Sequence, residues 1–125
     1  MDPRVQKTIR LMEEYLDREQ SVQELARSVN LSTGRLSHLF KAATGIPPIQ
    51  YLGRLRMERA KELLETTFLS VKEVKNRVGV NDDSHFVRDF KKRYGLRPVQ
   101  HRAYHLGAQM SHQDVRGGMS MSDVN

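Results

Sequence analysis

Apolar residues recur every three or four positions through most of residues 1–104, and proline, glycine, serine or aspartate separates one such run from the next. This spacing places the apolar side chains on one face of each of several successive helices. The first helix is predicted to begin at Asp2-Pro3 and to run through Asp17, because aspartate caps a helix and proline suits its first turn. The pattern therefore predicts an all-α chain.

Two stretches, residues 21–45 and 70–95, are near copies of each other. Identical residues recur at an offset of 49 before a central turn and of 50 after it, as in Ser21 and Ser70 or Phe40 and Phe90. Each copy opens with a Ser-x-x-Glu capping box, continues through a short apolar helix and a tight turn, and ends with a second helix. A short helix, a turn and a second helix form the pattern of a helix-turn-helix unit, so two such units are predicted.

A long helix over about residues 48–65 is predicted to link the two units, because Pro47-Pro48 ends one helix and starts another. At ~1.5 Å per residue it spans roughly 25 Å. Arg56 falls inside its apolar stripe, so the stem of Arg56 is predicted to pack while its head pairs with a carboxylate or reaches solvent. The other members of that stripe are Ile49, Leu52, Met57, Ala60, Leu63 and Leu64.

Composition narrows the possible functions. The 125 residues include no Cys, which excludes disulfides, thiolate metal sites and cysteine nucleophiles. No apolar run approaches the roughly 20 residues of a membrane span, and the N-terminus lacks a signal-peptide core, so a soluble cytoplasmic protein is expected. There is no glycine-rich phosphate loop and no Ser/His/Asp set at a recognisable spacing, so no enzyme, cofactor or metal is predicted.

The positive charge lies on the repeated region. Residues 21–104 hold 16 of the 21 Lys and Arg and eight of the 15 Asp and Glu, a net charge of +8, while the whole chain carries +6. A basic surface that coincides with helix-turn-helix units indicates a nucleic-acid partner, here double-stranded DNA. At ~34 Å per DNA turn, the long helix is of a suitable length to place two reading units in phase.

The second helix of each unit carries the candidate DNA-reading residues. At about 100° per residue, Gly34, His38 and Lys41 point away from the buried face of the first, and Ser84, Arg88 and Lys91 point away from that of the second. Arg88 is the best candidate for a guanine contact, because its planar fork fits O6 and N7. Phosphate contacts are predicted from Thr33, Lys41, Gln50, Lys91, Lys92, Arg97, Gln100 and Arg102.

The spacing of these residues resembles the DNA-binding domain of AraC/XylS-type bacterial transcription regulators. The resemblance covers residues 21 to about 102. In the first half it rests on Leu25-Ala26, Leu31-Ser32, Arg35-Leu36, Leu39-Phe40-Lys41, Gly45, Pro48, Tyr51-Leu52, Arg56, Ala60 and Leu63-Leu64. In the second half it rests on Ser70-Val71, Val78-Gly79, Ser84, Phe86, Arg88, Phe90-Lys91, Gly95 and Pro98.

This resemblance implies seven helices forming two helix-turn-helix units, with recognition helices in successive major grooves. The domain is expected over residues 1–104, with a first unit at about 21–45, a linker helix at about 48–65 and a second unit at about 70–95. Residues 105–125 are expected to form a disordered tail, because the stretch is polar, rich in Gly, Ser and Met, and without hydrophobic period. The resemblance also implies regulation of transcription, usually activation through RNA polymerase. The base-contacting residues that it implies are Gly34, Arg35, Ser37, His38, Asp83, Ser84, His85 and Arg88.

Three residues depart from the family's pattern, all in or near the second unit. Lys75 stands where a small residue is usual, Val80 where Phe is usual, and His101 where Tyr is usual. They suggest a looser second unit, and they keep open the alternative of a protein-interaction module with weakened or lost DNA binding. A sensor or dimerisation domain, often N-terminal in the family, is not visible, so the chain is either a stand-alone regulator or part of a longer one.

Overall fold

A computed structural model describes the backbone of residues 1–117 and the side chains of residues 1–107. Within that part of the chain there are seven helices and no strand, which confirms the predicted all-α class. The helices are α1 (Pro3–Glu14), α2 (Val22–Ser28), α3 (Thr33–Thr44), α4 (Pro48–Thr66), α5 (Val71–Arg77), α6 (Asp83–Tyr94) and α7 (Pro98–Gly117).

Both units begin with the predicted serine cap, but the predicted capping box is complete in the second unit and not in the first. Ser21 Oγ accepts from the backbone N–H of Glu24 at 3.1 Å, and Ser70 Oγ accepts from that of Glu73 at 3.0 Å. The carboxylate of Glu73 also accepts from the Ser70 backbone N–H at 3.1 Å, which completes a capping box, whereas Glu24 accepts from the Ser21 hydroxyl. The helix starts of both units are thus fixed by local sequence.

The apolar residues form two separate cores, one in each unit. Leu36 and Phe40 of α3 lie in the first core, and Phe86 and Phe90 of α6 lie in the second. The linker helix α4 contributes to both: Leu52 packs into the first core, and its later residues Met57, Ala60, Leu63 and Leu64 pack into the second. Ile49, which the pattern placed on the buried side of this helix, is 46% exposed.

Arg56 joins the two units at the middle of α4. Its Nε donates to the carbonyl of Leu16 at 3.2 Å and its Nη2 to the carbonyl of Arg18 at 2.7 Å. The head of Arg56 thus pairs with backbone carbonyls rather than with a carboxylate, while the side chain is half-buried, as predicted for a packed stem. Burial of the guanidinium lowers its pKa. The turn of the second unit closes over the same place, since a Cβ on Gly79 would lie 2.5 Å from the Leu16 carbonyl oxygen.

The two ends of the chain differ from the sequence prediction. Helix α1 ends at Glu14 rather than Asp17, because the carbonyls of Met12 and Tyr15 accept hydrogen bonds from the Gln20 side chain as the chain turns. Helix α7 continues to Gly117, so residues 105–117, which the sequence placed in a disordered tail, are helical, with no proline after Pro98 to end the helix. The remaining part of that predicted tail, 118–125, lies outside the described residues.

Candidate nucleic-acid interface

Helices α3 and α6 present the same surface twice. Residues 32–48 and 82–98 have the same order of exposed, half-buried and buried positions, except at Pro47 and Arg97. Both helices begin with a side-chain cap, in which Ser32 accepts from the Arg35 backbone N–H at 3.1 Å and Asp82 accepts from that of His85 at 3.0 Å. Each helix therefore buries one apolar face in its own core and leaves the opposite face to solvent.

The predicted base-contacting residues of α3 lie on this outer face. Gly34, Arg35 and His38 are exposed, and Ser37 is half-buried. The pKa of Asp2 is lowered mainly by hydrogen bonds from Arg4 and in smaller part by the charge of Arg35, so the N-terminus of α1 lies near Arg35. The exposure of Gly34, Arg35 and His38 nevertheless leaves the outer face of α3 open to a partner.

The corresponding residues of α6, namely Asp83, Ser84, His85 and Arg88, are all exposed. The Nε of Arg88 donates to the carbonyl of Ser84, one turn earlier, at a long 3.4 Å. The guanidinium therefore lies along its own helix and keeps donors available for a partner in the solvent. Arg88 occupies the position that His38 has in α3.

Seven of the eight predicted phosphate-contacting residues are exposed, and one is half-buried. The exposed ones are Thr33, Lys41, Gln50, Lys91, Lys92, Arg97 and Gln100. The amide oxygen of Gln100 accepts from the Arg97 backbone N–H at 3.1 Å and so caps α7. Gln50 has no such bond available, because the equivalent N-cap residue of α4 is Pro47, which has no N–H.

Arg102 is the half-buried member of the set, and it is engaged inside the protein. Its Nε donates to the carbonyl of Leu64 at 3.1 Å and its Nη2 to that of Thr67 at 3.3 Å, so it holds the C-terminal end of α4. The repeat explains this placement, because the equivalent residue is Leu52, which is buried in the first core. These internal hydrogen bonds argue against the phosphate contact predicted for Arg102.

His101 replaces the tyrosine that is usual in the family, and the structure accommodates it. Its ring meets that of Phe90 edge-to-face at 5.4 Å, just as Tyr51 meets Phe40 at 5.2 Å in the first unit. Its Nε2 also lies 2.6 Å from the carboxylate of Glu65 on α4. Together with Arg102, His101 fastens α7 to α4.

The carboxylate of Glu65 should contribute to stability only above acidic pH. Burial raises the pKa of Glu65, but hydrogen bonds from Lys61 and His101 outweigh it and hold that pKa below its ordinary value. A lowered pKa in the folded state gives stability that is present above pH 4.5 and is lost as pH falls through the folded-state value. We expect Glu65→Gln to lower the free energy of unfolding by about 1 kcal/mol at pH 7, and by less at pH 3, in urea titrations.

The matched control for that experiment is Glu62→Gln, which changes an exposed carboxylate that pairs with Arg59 at 2.7 Å. Its effect should be smaller at pH 7, because the pair is more open to water. An equal loss for Glu65→Gln at pH 7 and pH 3 would contradict the expectation.

Lys75 is a residue whose contacts the sequence did not reveal, although its size marked it as unusual. It is 7% exposed, and its Nζ lies 2.6 Å from Oδ1 of Asp83 and 3.4 Å from the carbonyl of Asn81. Val80, another departure from the family pattern, is 8% exposed and belongs to the second core. The substituted residues of the second unit are therefore packed or paired. The alignment of the repeats places Lys75 at the position of Ala26, which is buried. A lysine at a buried position needs a partner, so this alignment could have indicated the ion pair.

The described helices also bear on partners other than nucleic acid. Within residues 1–117, none is both long enough and apolar enough to cross a bilayer. The cleft between α1 and α5 is lined by acidic as well as basic side chains, including Glu13, Glu14, Arg59 and Arg77. On α3 and α6, by contrast, Lys41 and the Lys91-Lys92 pair are exposed.

Comparison with known proteins places this arrangement in a family. A family model described as "Helix-turn-helix domain" matches residues 25–104. The Arabinose operon regulatory protein of Escherichia coli is 36% identical over 104 residues, which are 82% of this chain and 36% of that protein. The transcriptional activator RhaS of an Enterobacter species is 32% identical over 101 residues, which are 81% of this chain and 36% of that protein. The chain thus spans little more than a third of the length of these relatives.

The fold has close counterparts among solved structures. The DNA-binding domain of AdpA, a global transcriptional factor solved in complex with a target DNA, superposes with a TM-score of 0.78 and 30% sequence identity. The match covers 83% of this chain and 93% of that one. With the duplicated helix-turn-helix geometry and the family match over most of its described residues, the chain belongs to the AraC-type family of DNA-binding regulators, which are not enzymes.

Proposed function

We propose that this chain binds specific sequences of double-stranded DNA through α3 and α6 and thereby regulates transcription in the bacterial cytoplasm. The proposal is based on the duplicated outer face. Helices α3 and α6 have equivalent N-caps and the same sequence of buried and exposed positions, and each leaves polar and basic residues in solvent. The likeness to a domain solved with its target DNA supports it.

The two helices are proposed to enter successive major grooves on one face of the DNA. The spacer α4 has 19 residues, which at ~1.5 Å per residue span about 28 Å. Successive major grooves on one face are ~34 Å apart, so a rigid helix of this length is suited to set the spacing. Arg56 supports rigidity, because it ties α4 to the carbonyls of Leu16 and Arg18.

Affinity and specificity are proposed to come from different residues. Contacts to phosphate give most of the affinity and make it fall as salt rises, and contacts to base edges give the specificity. The proposed phosphate contacts are Thr33, Lys41, Gln50, Lys91, Lys92, Arg97 and Gln100. The proposed base contacts are Gly34, Arg35, Ser37, His38, Asp83, Ser84, His85 and Arg88.

The regulatory effect is proposed to be activation through contact with RNA polymerase. A named activator among the relatives supports this. Because the chain spans 36% of the length of that relative, a sensor or dimerisation domain is proposed to act with it.

Selection of bound duplexes from a random pool, followed by titration at several salt concentrations, tests the proposal. We expect one site with two conserved elements about 10 base pairs apart, centre to centre. Inserting five base pairs between the elements should reduce binding, because it moves one element to the opposite face of the duplex. A chain that enriches no sequence and binds no duplex at low salt would instead be a protein-interaction module.

Arg88→Ala tests the reading role of α6. The expected loss is ~1–3 kcal/mol of binding free energy, together with relaxed preference at one base pair. The matched control is Arg77→Ala, which removes the same charge from α5, beside the cleft of mixed charge between α1 and α5. We expect the control to leave the base preferences unchanged in a titration against all single-base variants of the selected site. A loss from Arg88→Ala that is equal on all variants would contradict base reading.

A further inference from the structure

Lys75 and Asp83 form an ion pair at the start of α6 that the first unit lacks. The repeat sets Lys75 against Ala26 and Asp83 against Thr33, so neither charge has a counterpart in the first unit. The side chain of Lys75 is 9% exposed, and its Nζ lies 2.6 Å from Oδ1 of Asp83. A buried ammonium is costly unless it is paired and hydrogen-bonded. Because Lys75 needs the Asp83 carboxylate as its partner, the ion pair holds that carboxylate in one position.

Asp83 is not needed as the cap of its helix. Asp82 performs that role, with its side chain accepting from the His85 backbone N–H at 3.0 Å. The side chain of Asp83 is 80% exposed, although Oδ1 is held by Lys75. The carboxylate therefore offers its remaining acceptor capacity to solvent at the first residue of the proposed reading helix.

We propose that Asp83 selects a cytosine in the DNA site and that Lys75 is the positioning residue that holds it for this contact. An ionised carboxylate only accepts hydrogen bonds. In the major groove, cytosine presents the N4 amine as a donor, whereas thymine presents the O4 acceptor and guanine presents N7 and O6 acceptors. Adenine also presents an amine donor, N6, but beside it lies the N7 acceptor, which repels a carboxylate. A fixed carboxylate thus favours cytosine and repels its closest alternative, thymine.

Lys75 also offsets the cost of an acid near DNA. An unpaired carboxylate at this position would be repelled by the phosphates, while the Lys75 ammonium at 2.6 Å balances its charge. This inference rests on the proposed function, since it assigns a base to a helix that is proposed to read DNA. The inference also predicts that the element bound by α3 lacks this preference for cytosine, because Thr33 stands in α3 where α6 has Asp83.

The experiment repeats the selection from a random duplex pool with the wild-type chain, Asp83→Asn and Lys75→Met. Wild type should prefer cytosine to thymine by about tenfold at one position of the element bound by α6. Asp83→Asn should abolish that preference, because an amide both donates and accepts. Lys75→Met should lower the same preference and leave the element bound by α3 unchanged. The control is Lys72→Met, which removes an exposed lysine from the same helix and should alter neither element.

The outcomes separate this inference from the proposed function. If the wild-type chain enriches no sequence, the proposed function is overturned. If a site is selected and Asp83→Asn retains the cytosine preference, only the inference about cytosine is overturned. If Lys75→Met weakens binding equally on every sequence, the positioning role is overturned. Because a single change can leave a buried charge unpaired and unfold the unit, the double variant Lys75→Met/Asp83→Asn is selected in parallel, and it too should lose the cytosine preference.

Discussion

Phe90→Ala should unfold the second unit before the first. Phe90 is fully buried, and its ring contacts those of Phe86, Tyr94 and His101. Removing a buried phenylalanine ring leaves a cavity and costs ~3–5 kcal/mol. Because the second core is separate from the first, most of that cost should fall on α5, α6 and the later part of α4.

Hydrogen exchange of backbone amides measures this effect unit by unit. In Phe90→Ala the amides of α5 and α6 should exchange much faster, while those of α2 and α3 keep most of their protection. Phe40→Ala is the matched control, because Phe40 is the equivalent residue of the first core and is also fully buried. It should give the reverse pattern. If both variants lose protection equally in the two units, the cores unfold as one cooperative body and the expectation is wrong.

Features that depend on local sequence were predictable. The capping box at Ser70, the cap at Ser32 and the inward faces of α3 and α6 all follow from residues within one or two helical turns of each other. The repeat added information beyond periodicity, because a position that is buried in one unit is buried in the other. Leu52 predicts the inward position of Arg102 in this way, but the sequence interpretation assigned Arg102 by its charge.

Features that depend on long side chains reaching distant backbone could not be predicted. Arg56 donates to carbonyls 40 and 38 residues earlier in the chain, and Arg102 to carbonyls 38 and 35 residues earlier. Lys75 reaches Asp83 across a turn. In each case, the apolar stem follows the helical pattern, while the partner of the charged head is set by how separate helices pack. Helical periodicity predicted the outer faces of α3 and α6, and the family resemblance named the base-contacting residues on them. Neither could supply an ion pair made by Lys75, at which this chain departs from the family pattern.

Gly79→Ala should destabilise the protein more than the same change at any exposed turn. Gly79 has φ +81°, a left-handed conformation that costs an alanine roughly 1–2 kcal/mol. In addition, the new Cβ would lie 2.5 Å from the Leu16 carbonyl oxygen and 3.2 Å from Nε of Arg56. Relieving that overlap requires the junction between the units to shift, which adds roughly 1–3 kcal/mol.

Two further variants separate the two costs in urea unfolding. Gly95→Ala bears the backbone cost alone, because Gly95 has φ +87° and no atom within 4 Å of the added Cβ. Gly79→Asn bears mainly the steric cost, since asparagine tolerates the left-handed region and Asn30 adopts it at φ 57° in the corresponding turn of the first unit. If Gly79→Ala costs no more than Gly95→Ala, the turn of the second unit is free to move away from Leu16. The contact through Arg56 would then not hold the two units at a fixed spacing, and the length of α4 would not determine the distance between the two elements of the DNA site.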